Sequence, residues 1–172
     1  LLGLDSRNLH VLPLGSDVIS DTPKSYQTIR LLYVGTLNGR HIDKTILGLS
    51  IFVKQYPDVD IKYDIVGDGS ELELLTDLVY KEKVQRYVTL HGRIPHNKLK
   101  SFFDLCNVGV TFIPITSYYN FQPPTKVYEY ALSGLFQIAT STTANSMLIN
   151  EDLGVLINDT SEDFAAALEK IH

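Results

Sequence analysis

Lys126 and Glu129 stand three residues apart in a stretch that opens with two prolines and closes at a glycine. Pro124 suits the first turn of a helix, and Gly134 suits the position just after a helix ends. The spacing places both charged side chains on one helical face. Because the first N–H groups of a helix have no partner inside it, we expect free donors from Thr125 to Val127.

These residue types suit the capture of a nucleoside diphosphate. The positive end of the helix and the Lys126 ammonium would meet the pyrophosphate. An ionised glutamate only accepts hydrogen bonds, so Glu129 could hold two ribose hydroxyls. The competing interpretation is a solvent-exposed Lys126–Glu129 ion pair on an ordinary helix, which the spacing alone allows equally well.

The length, charge and cysteine content of the chain limit the classes of function that it could have. The chain has 172 residues, enough for one domain, and its net charge of −5 argues against a nucleic-acid-binding protein. A mildly negative charge does not exclude an anionic small ligand. Cys106 is the only cysteine, so we expect a reducing compartment and a packing role for its thiol. The sequence shows no transmembrane segment and no signal peptide. It begins Leu-Leu-Gly, and we expect a piece of a longer protein.

Strands and helices alternate along the chain, which predicts an α/β fold. We expect a Rossmann-like, doubly wound, mainly parallel sheet with helices on both faces. The predicted strands are 28–34, 60–66, 87–90, 108–113, 135–140 and 153–157. The predicted helices are 42–56, 70–84, 96–106, 124–133, 142–150 and 161–171, with Ser70 and Ser161 as N-caps. Residues 1–25 are predicted to be a leader or interdomain crossing segment, and residues 26–172 the domain itself.

Four loops follow the first four predicted strands, at 35–40, 67–69, 91–95 and 115–126. Ligands of such sheets bind outside the carboxyl ends of the strands. We therefore expect these loops to converge on one site. The Gly-Asp-Gly sequence at 67–69 is not a dinucleotide fingerprint, because Leu72 occupies the third glycine position.

Three motifs together resemble the donor site of GT-B glycosyltransferases, in particular the C-terminal domain of glycosyltransferase family 4. They are Pro-Thr-Lys-x-x-Glu-Tyr-x-x-x-Gly at 124–134, Gly-Asp-Gly at 67–69 and His-Gly-Arg-Ile-Pro at 91–95. Gly15 and Asp17 resemble the family's crossing segment, and the resemblance covers residues 8–171. It implies transfer of a sugar, with retention, from a nucleotide-diphosphate sugar to an unknown acceptor. It implies neither a bound metal nor a cofactor. It also implies an N-terminal acceptor-binding domain, which we expect to lie outside this chain. A cytoplasmic protein is expected, with peripheral membrane association left open.

The resemblance also implies a role for each loop, although it assigns no catalytic residue. The diphosphate would be bound by Gly35, Thr36, Arg40, Thr125 and Lys126. The ribose would be bound by Glu129, and the nucleobase by Gly67, Arg93 and Ile94. The donor sugar would lie near Asn120, Phe121 and Gln122. The alternative for Arg40 and for Arg93 is a solvated loop charge.

Two departures from the family pattern leave the function open. Thr36 stands where the family usually has an arginine. The family usually has a second glutamate eight positions before the ribose glutamate, where this chain has Phe121, and no carboxylate occurs from Ile115 to Gln122. Asn120 or Gln122 could remake the lost contact. The alternatives are a non-catalytic module that binds a nucleotide or sugar phosphate, and a nucleotide-sugar epimerase.

Overall fold

The computed structural model describes residues 14–172, in which six strands form one sheet whose strand pairs are all parallel. The spatial order is β3-β2-β1-β4-β5-β6. The strands are β1 (Ile29–Val34), β2 (Ile61–Val66), β3 (Val88–Gly92), β4 (Val108–Thr111), β5 (Phe136–Thr140) and β6 (Gly154–Ile157). The predicted Rossmann-like α/β fold is therefore confirmed.

Six α-helices connect and follow the strands within residues 14–172. They are α1 (Ile42–Gln55), α2 (Leu72–Glu82), α3 (Lys100–Leu105), α4 (Lys126–Leu132), α5 (Thr143–Ser146) and α6 (Ser161–Ile171). A short 3-10 helix, His96–Lys98, precedes α3. None of these helices is both long and apolar enough to cross a bilayer.

The side chains of β1 divide between two buried cores because successive residues of a strand point to opposite faces. Leu31 and Tyr33 pack in a core that includes Phe164 of α6. Leu32 packs on the other face, in a core that includes Phe103 of α3 and Tyr130 of α4. Helices therefore cover both faces, which explains why β1 is almost entirely apolar.

The order of the strands reverses at β1, which pairs with β2 on one side and with β4 on the other. Successive crossovers then leave for opposite faces, and a crevice opens between the loops at the carboxyl ends of β1 and β4. This position selects the loops that follow β1 and β4 as walls of a binding site.

Both predicted N-caps are wrong. Ser70 does not cap α2, because its hydroxyl lies 3.1 Å from Asn38 Oδ1 and the helix begins at Leu72. Ser161 is the first residue of α6, and the hydroxyl of Thr160 caps the helix by accepting the Asp163 N–H. The N-cap is the residue whose hydroxyl reaches a free N–H group of the first turn. The sequence alone does not decide between neighbouring residues that could each do so.

Two other predicted helices are too long. The predicted helix 142–150 is confined to α5, which ends at Ser146, and the N–H groups of Leu148 and Ile149 both donate to the Asn145 carbonyl. The predicted helix 96–106 is divided into the 3-10 helix and α3. After α5, local turns complete the connection to β6.

The first 25 residues are only partly described. Residues 14–25 contain no helix or strand, and Gly15 and Asp17 are exposed. Ser20 is buried, and its hydroxyl donates to the Asp104 carboxylate at 2.6 Å. The part of the predicted crossing segment before residue 14 lies outside the described residues, and the domain boundary at 25 stays a prediction.

Candidate functional site

A pocket of about 320 Å³ opens at the carboxyl ends of β1 and β2. It combines predicted diphosphate-binding residues with all the predicted nucleobase-binding residues. Its lining is Val34, Gly35, Thr36, Val66, Gly67, Asp68, Arg93 and Ile94. The convergence of three separate loops, expected from the parallel topology, is therefore observed around one cavity.

A larger cavity, about 400 Å³, lies at the opposite ends of the strands. It is lined mainly by apolar groups, among them Ile29, Val108 and Phe136, and it contains none of the predicted site residues. The amide of Asn107 in its wall is already bonded to the carbonyls of Ser25 and Thr28. The smaller pocket is the better site for an anionic ligand, because the Lys126 ammonium lies 2.8 Å from the position of a Cβ on Gly35, a residue of its lining.

The first two site loops approach each other at Gly67. A Cβ atom on Gly67 would lie 1.9 Å from the carbonyl oxygen of Gly35, so only glycine fits. The Gly35 N–H donates to the Val66 carbonyl at 3.0 Å, and the Gly67 N–H donates to the Gly92 carbonyl at 2.9 Å. These bonds extend the sheet beyond its strands and fix the floor of the pocket.

Polar contacts hold the rest of the loop after β1. The Asn38 side-chain oxygen accepts the Ser70 N–H at 2.6 Å, and the Gly39 N–H donates to the Glu71 carboxylate at 2.8 Å. The Tyr33 hydroxyl donates to the Thr36 carbonyl at 2.6 Å. The loop that carries Thr36 and Arg40 is therefore anchored at both ends.

Lys126 begins α4, but its side chain turns inward and is only 8% exposed. Its Nζ lies 3.8 Å from the centroid of the Tyr33 ring. Within residues 14–172 it forms no ion pair, with Glu129 or any other carboxylate. Burial, reinforced by the Arg40 charge and opposed by Glu129, lowers the pKa of Lys126 to about 7. The alternative of a solvent-exposed Lys126–Glu129 ion pair is therefore wrong.

Arg40 supplies a second cation near Lys126. Its guanidinium carbon lies 4.5 Å from the centroid of the Tyr119 ring, on the loop between β4 and α4. In the described part of the chain, Arg40 has no ion pair with a carboxylate. Both cations are thus held by aromatic faces, which attract positive charge without occupying the N–H donors.

The start of α4 differs from its prediction. The helix begins at Lys126, two residues after Pro124. The Val127 N–H donates to the Pro124 carbonyl at 3.1 Å, so it is not the free donor that the sequence predicted. In the described part of the chain, the N–H groups of Thr125 and Lys126 have no backbone partner.

Glu129 lies on the first turn of α4, half-buried, and its charge acts on Lys126. It accepts no hydrogen bond from the described residues other than those of its backbone carbonyl. The carboxylate is therefore available to a ligand. Arg93 is exposed at the edge of the pocket. The structure thus brings the predicted ribose-binding and diphosphate-binding groups together.

The predicted donor-sugar residues are arranged unequally. Asn120 anchors its loop to α5, because its side-chain oxygen accepts the Thr143 N–H and its carbonyl accepts the Ala144 N–H, both at 2.9 Å. Its amide NH₂ group has no partner among the described residues and remains for a ligand. Gln122 is exposed, and Phe121 is 71% exposed.

Three tyrosines of the site were not identified from the sequence. The rings of Tyr33 and Tyr119 contact the Lys126 ammonium and the Arg40 guanidinium, respectively. The Tyr130 hydroxyl accepts the Val34 N–H at 2.9 Å, which fixes α4 against the end of β1. A Cβ on Gly109 would lie 2.4 Å from the Tyr130 ring, so this approach needs glycine in β4. The only sequence signals for these tyrosines were the aromatic composition of the loop before α4 and the Glu129-Tyr130 pair within α4.

Cys106 has the packing role that its sequence context predicted. The thiol is buried, and its pKa is raised to about 12, mainly by burial and also by the Asp64 charge. Such a thiol is not a nucleophile at neutral pH. Across residues 14–172, no three His, Cys, Asp or Glu side chains form a group that could hold a metal ion.

The sequence matches a family model described as "Glycosyl transferases group 1" over residues 28–172. No curated protein matches the chain. The family match includes all four site loops, from Gly35 to Glu129.

Solved structures share the fold at low sequence identity. The lipopolysaccharide outer core galactosyltransferase WaaB, in its apo form, has 16% identity and a TM-score of 0.72 over 98% of this chain and 48% of its own. Sucrose-phosphate synthase from Thermosynechococcus elongatus has 21% identity and a TM-score of 0.69, over 92% and 42%. The pneumococcal O-GlcNAc transferase GtfA, in complex with UDP and GlcNAc, has 19% identity and a TM-score of 0.71, over 90% and 31%. The chain thus spans about half or less of the length of these proteins.

Proposed function

Because the chain belongs to the glycosyl transferases group 1 family, we propose that it is the donor-binding domain of a retaining glycosyltransferase. The family match and the structural neighbours confirm the resemblance to a GT-B glycosyltransferase domain that the motifs indicated. The proposed ligand is a nucleotide-diphosphate sugar, and the proposed partner is an acceptor-binding domain elsewhere in a longer protein.

One observation carries the proposal: two cations without carboxylate partners lie near the crevice, close to a pocket. Lys126 is buried against Tyr33, and Arg40 lies against Tyr119. Two neighbouring positive charges repel each other, and burial disfavours the charged lysine. A bound diphosphate would relieve both penalties with charge-assisted hydrogen bonds.

The remaining groups suit the rest of a nucleotide. The pocket beside Gly67, Arg93 and Ile94 has room for a base, and its glycine lets the ligand approach the backbone. Glu129 would accept hydrogen bonds from the ribose hydroxyls. Sugar transfer increases the negative charge on the departing diphosphate, so the same cations would stabilise the leaving group in the transition state.

The choice of nucleotide starts from the structural neighbours. Two of the structural neighbours, GtfA and the Anabaena protein HepE, were solved in complex with UDP. UDP is therefore the first ligand to test on this chain, followed by GDP, ADP and dTDP. Thermal unfolding with each ligand should show stabilisation by at least one of them, about 2.7 kcal/mol at a hundredfold excess over Kd. If none of the four stabilises the chain, the proposal fails.

The Lys126→Ala variant locates the diphosphate. It should weaken the tightest nucleoside diphosphate by about 1.5–3 kcal/mol, as expected for a charged hydrogen bond, and change the affinity of the matching nucleoside much less. The matched control is Lys98→Ala, an exposed lysine on the 3-10 helix outside the pocket lining. Equal losses for the diphosphate and the nucleoside, measured by calorimetry, would place Lys126 outside the phosphate site.

A second candidate function is a binding module without transferase activity. Phe121 replaces the second glutamate of the family, and its side chain is 71% exposed beside Gln122, with no carboxylate from Ile115 to Gln122. Turnover by the full-length protein with donor and acceptor supplied would exclude a module that only binds. An epimerised donor formed without any acceptor would instead indicate an epimerase. The chain by itself is expected to transfer no sugar.

A further inference from the structure

The contact between Arg40 and Tyr119 joins the loops that follow β1 and β4. The guanidinium carbon lies 4.5 Å from the centroid of the Tyr119 ring. We propose that Tyr119 is a positioning residue: its ring holds the Arg40 guanidinium at the crevice in the orientation that meets the donor diphosphate. This inference rests on the proposed function and adds a residue to it.

Tyr119 is itself held in place by its loop. Its N–H donates to the Thr116 hydroxyl at 3.3 Å, and the next N–H, of Asn120, donates to the Thr116 carbonyl at 2.9 Å. Asn120 in turn fastens the loop to the start of α5 through Thr143. On its other side, the Tyr119 hydroxyl lies 4.0 Å from the position of a Cβ on Gly39, the residue before Arg40.

The aromatic partner suits an arginine that must remain free to bind an anion. A carboxylate partner would neutralise the guanidinium and use its N–H groups, whereas a ring face leaves the five donors at the edge of the plane. The Glu71 carboxylate accepts the N–H of Gly39, the residue before Arg40, and forms no ion pair with Arg40 in the described residues. Since a long side chain loses rotamer freedom when it binds, an arginine held in advance binds its ligand more tightly.

The contact also holds two like charges near each other. Arg40 lies close enough to Lys126 to disfavour its protonated form. Without the ring, we expect the guanidinium to move away from Lys126 into solvent. The diphosphate would then have to order the Arg40 side chain against its repulsion by Lys126. Loss of the ring should therefore lower the affinity only of ligands that carry a second phosphate.

The test measures the binding of the tightest ligand among UDP, GDP and ADP, and of its monophosphate, by calorimetry. Tyr119→Leu should weaken diphosphate binding about two- to fivefold, the range of an exposed cation–π contact, and leave the monophosphate nearly unchanged. Tyr119→Phe keeps the ring and should bind like the unmodified chain. The control is Tyr118→Leu, which removes an exposed neighbouring ring that packs edge-on against Tyr119.

The double variant Arg40→Ala, Tyr119→Leu decides whether the ring acts through the arginine. Once Arg40 is absent, loss of the ring should have no further effect on diphosphate binding. Additive losses, or equal losses for Tyr118→Leu and Tyr119→Leu, would overturn the inference. Tyr119→Gln replaces the leucine variant if the latter does not fold. If the unmodified chain binds no nucleoside diphosphate, the proposed function fails instead.

Discussion

The ammonium of Lys126 lies 3.8 Å from the centroid of the Tyr33 ring and 2.8 Å from the position that a Cβ on Gly35 would occupy. The glycine therefore makes room for the lysine at the end of β1. The ring gives the ammonium a polarisable face but no negative charge. A buried cation held in this way destabilises the unliganded chain and favours an anion.

The first prediction concerns stability and pH. The pKa of Lys126 is lowered in the folded chain to about 7 from 10.5. Below pH 7 the lysine is protonated in both states, and the cost of burying its charge is fully present. Between pH 7 and 10.5 the unfolded chain binds more protons, so this cost disappears as pH rises. Lys126→Met should therefore stabilise the chain against urea at pH 6.5, and the gain should shrink by pH 9.5.

The matched control for that experiment is Lys98→Met, which removes an exposed lysine. Its effect on the free energy of unfolding should not change over the same pH range. A gain for Lys126→Met that is equal at pH 6.5 and 9.5 would show that the lysine is not neutralised on folding.

The second prediction is that diphosphate binding takes up a proton. An anion beside the ammonium favours its charged form, so the pKa of Lys126 should rise on binding. Between pH 7.5 and 9.5, affinity should then fall as pH rises. Calorimetry in two buffers with different enthalpies of ionisation measures the proton directly. Lys126→Arg stays charged and should bind without proton uptake; uptake that persists in this variant would refute the assignment.

The third prediction concerns Glu129. Glu129→Gln keeps the shape but removes the charge and one acceptor oxygen, and it should weaken nucleotide binding by about 1–3 kcal/mol. Stability should change by no more than about 0.5 kcal/mol, since the side chain has no ion pair in the described residues. Binding isotherms and urea unfolding measure the two effects.

A 2′,3′-dideoxy nucleotide provides the control for Glu129, because it removes the same hydrogen bonds from the ligand. The losses caused by the variant and by the dideoxy ligand should be non-additive. Fully additive losses would mean that Glu129 does not touch the ribose.

The fourth prediction concerns the floor of the pocket. Gly67→Ala places a Cβ 1.9 Å from the Gly35 carbonyl oxygen, which forces the two loops apart. Such overpacking should destabilise the chain by about 1–3 kcal/mol and weaken nucleotide binding. Gly15→Ala is the matched control, since nothing lies within 4 Å of its added methyl group. Unchanged urea midpoints for both variants would contradict the predicted contact.

Local patterns predicted most of the fold. The apolar run of β1 and the helical period of α1 are properties of neighbouring residues, so the sequence indicates both elements to within a residue or two. Their alternation predicts a parallel sheet, and a parallel sheet gathers the loops after its strands at one edge. For the same reason Gly35, Gly67 and Arg93 could be assigned to one site before any contact was known.

Helix ends were predicted less well because they depend on single hydrogen bonds. Thr160 rather than Ser161 caps α6, and Ser70 bonds to Asn38 instead of capping α2. The Val127 N–H at the start of α4 donates to the Pro124 carbonyl and is not free. Neighbouring positions offer equivalent groups, and the folded geometry selects among them.

The sequence by itself determined the order of the elements, the loops that form the site and the types of charged group they carry. Only the tertiary structure decided what those charges face. Lys126 could have paired with Glu129 on the helix surface, but α4 packs across the end of β1 and buries the lysine against Tyr33. Arg40 meets Tyr119, which lies 79 positions further along the chain, and Asn120 is used to anchor its own loop. Burial and contacts between distant residues arise from the packing of whole elements, so no local pattern contains them.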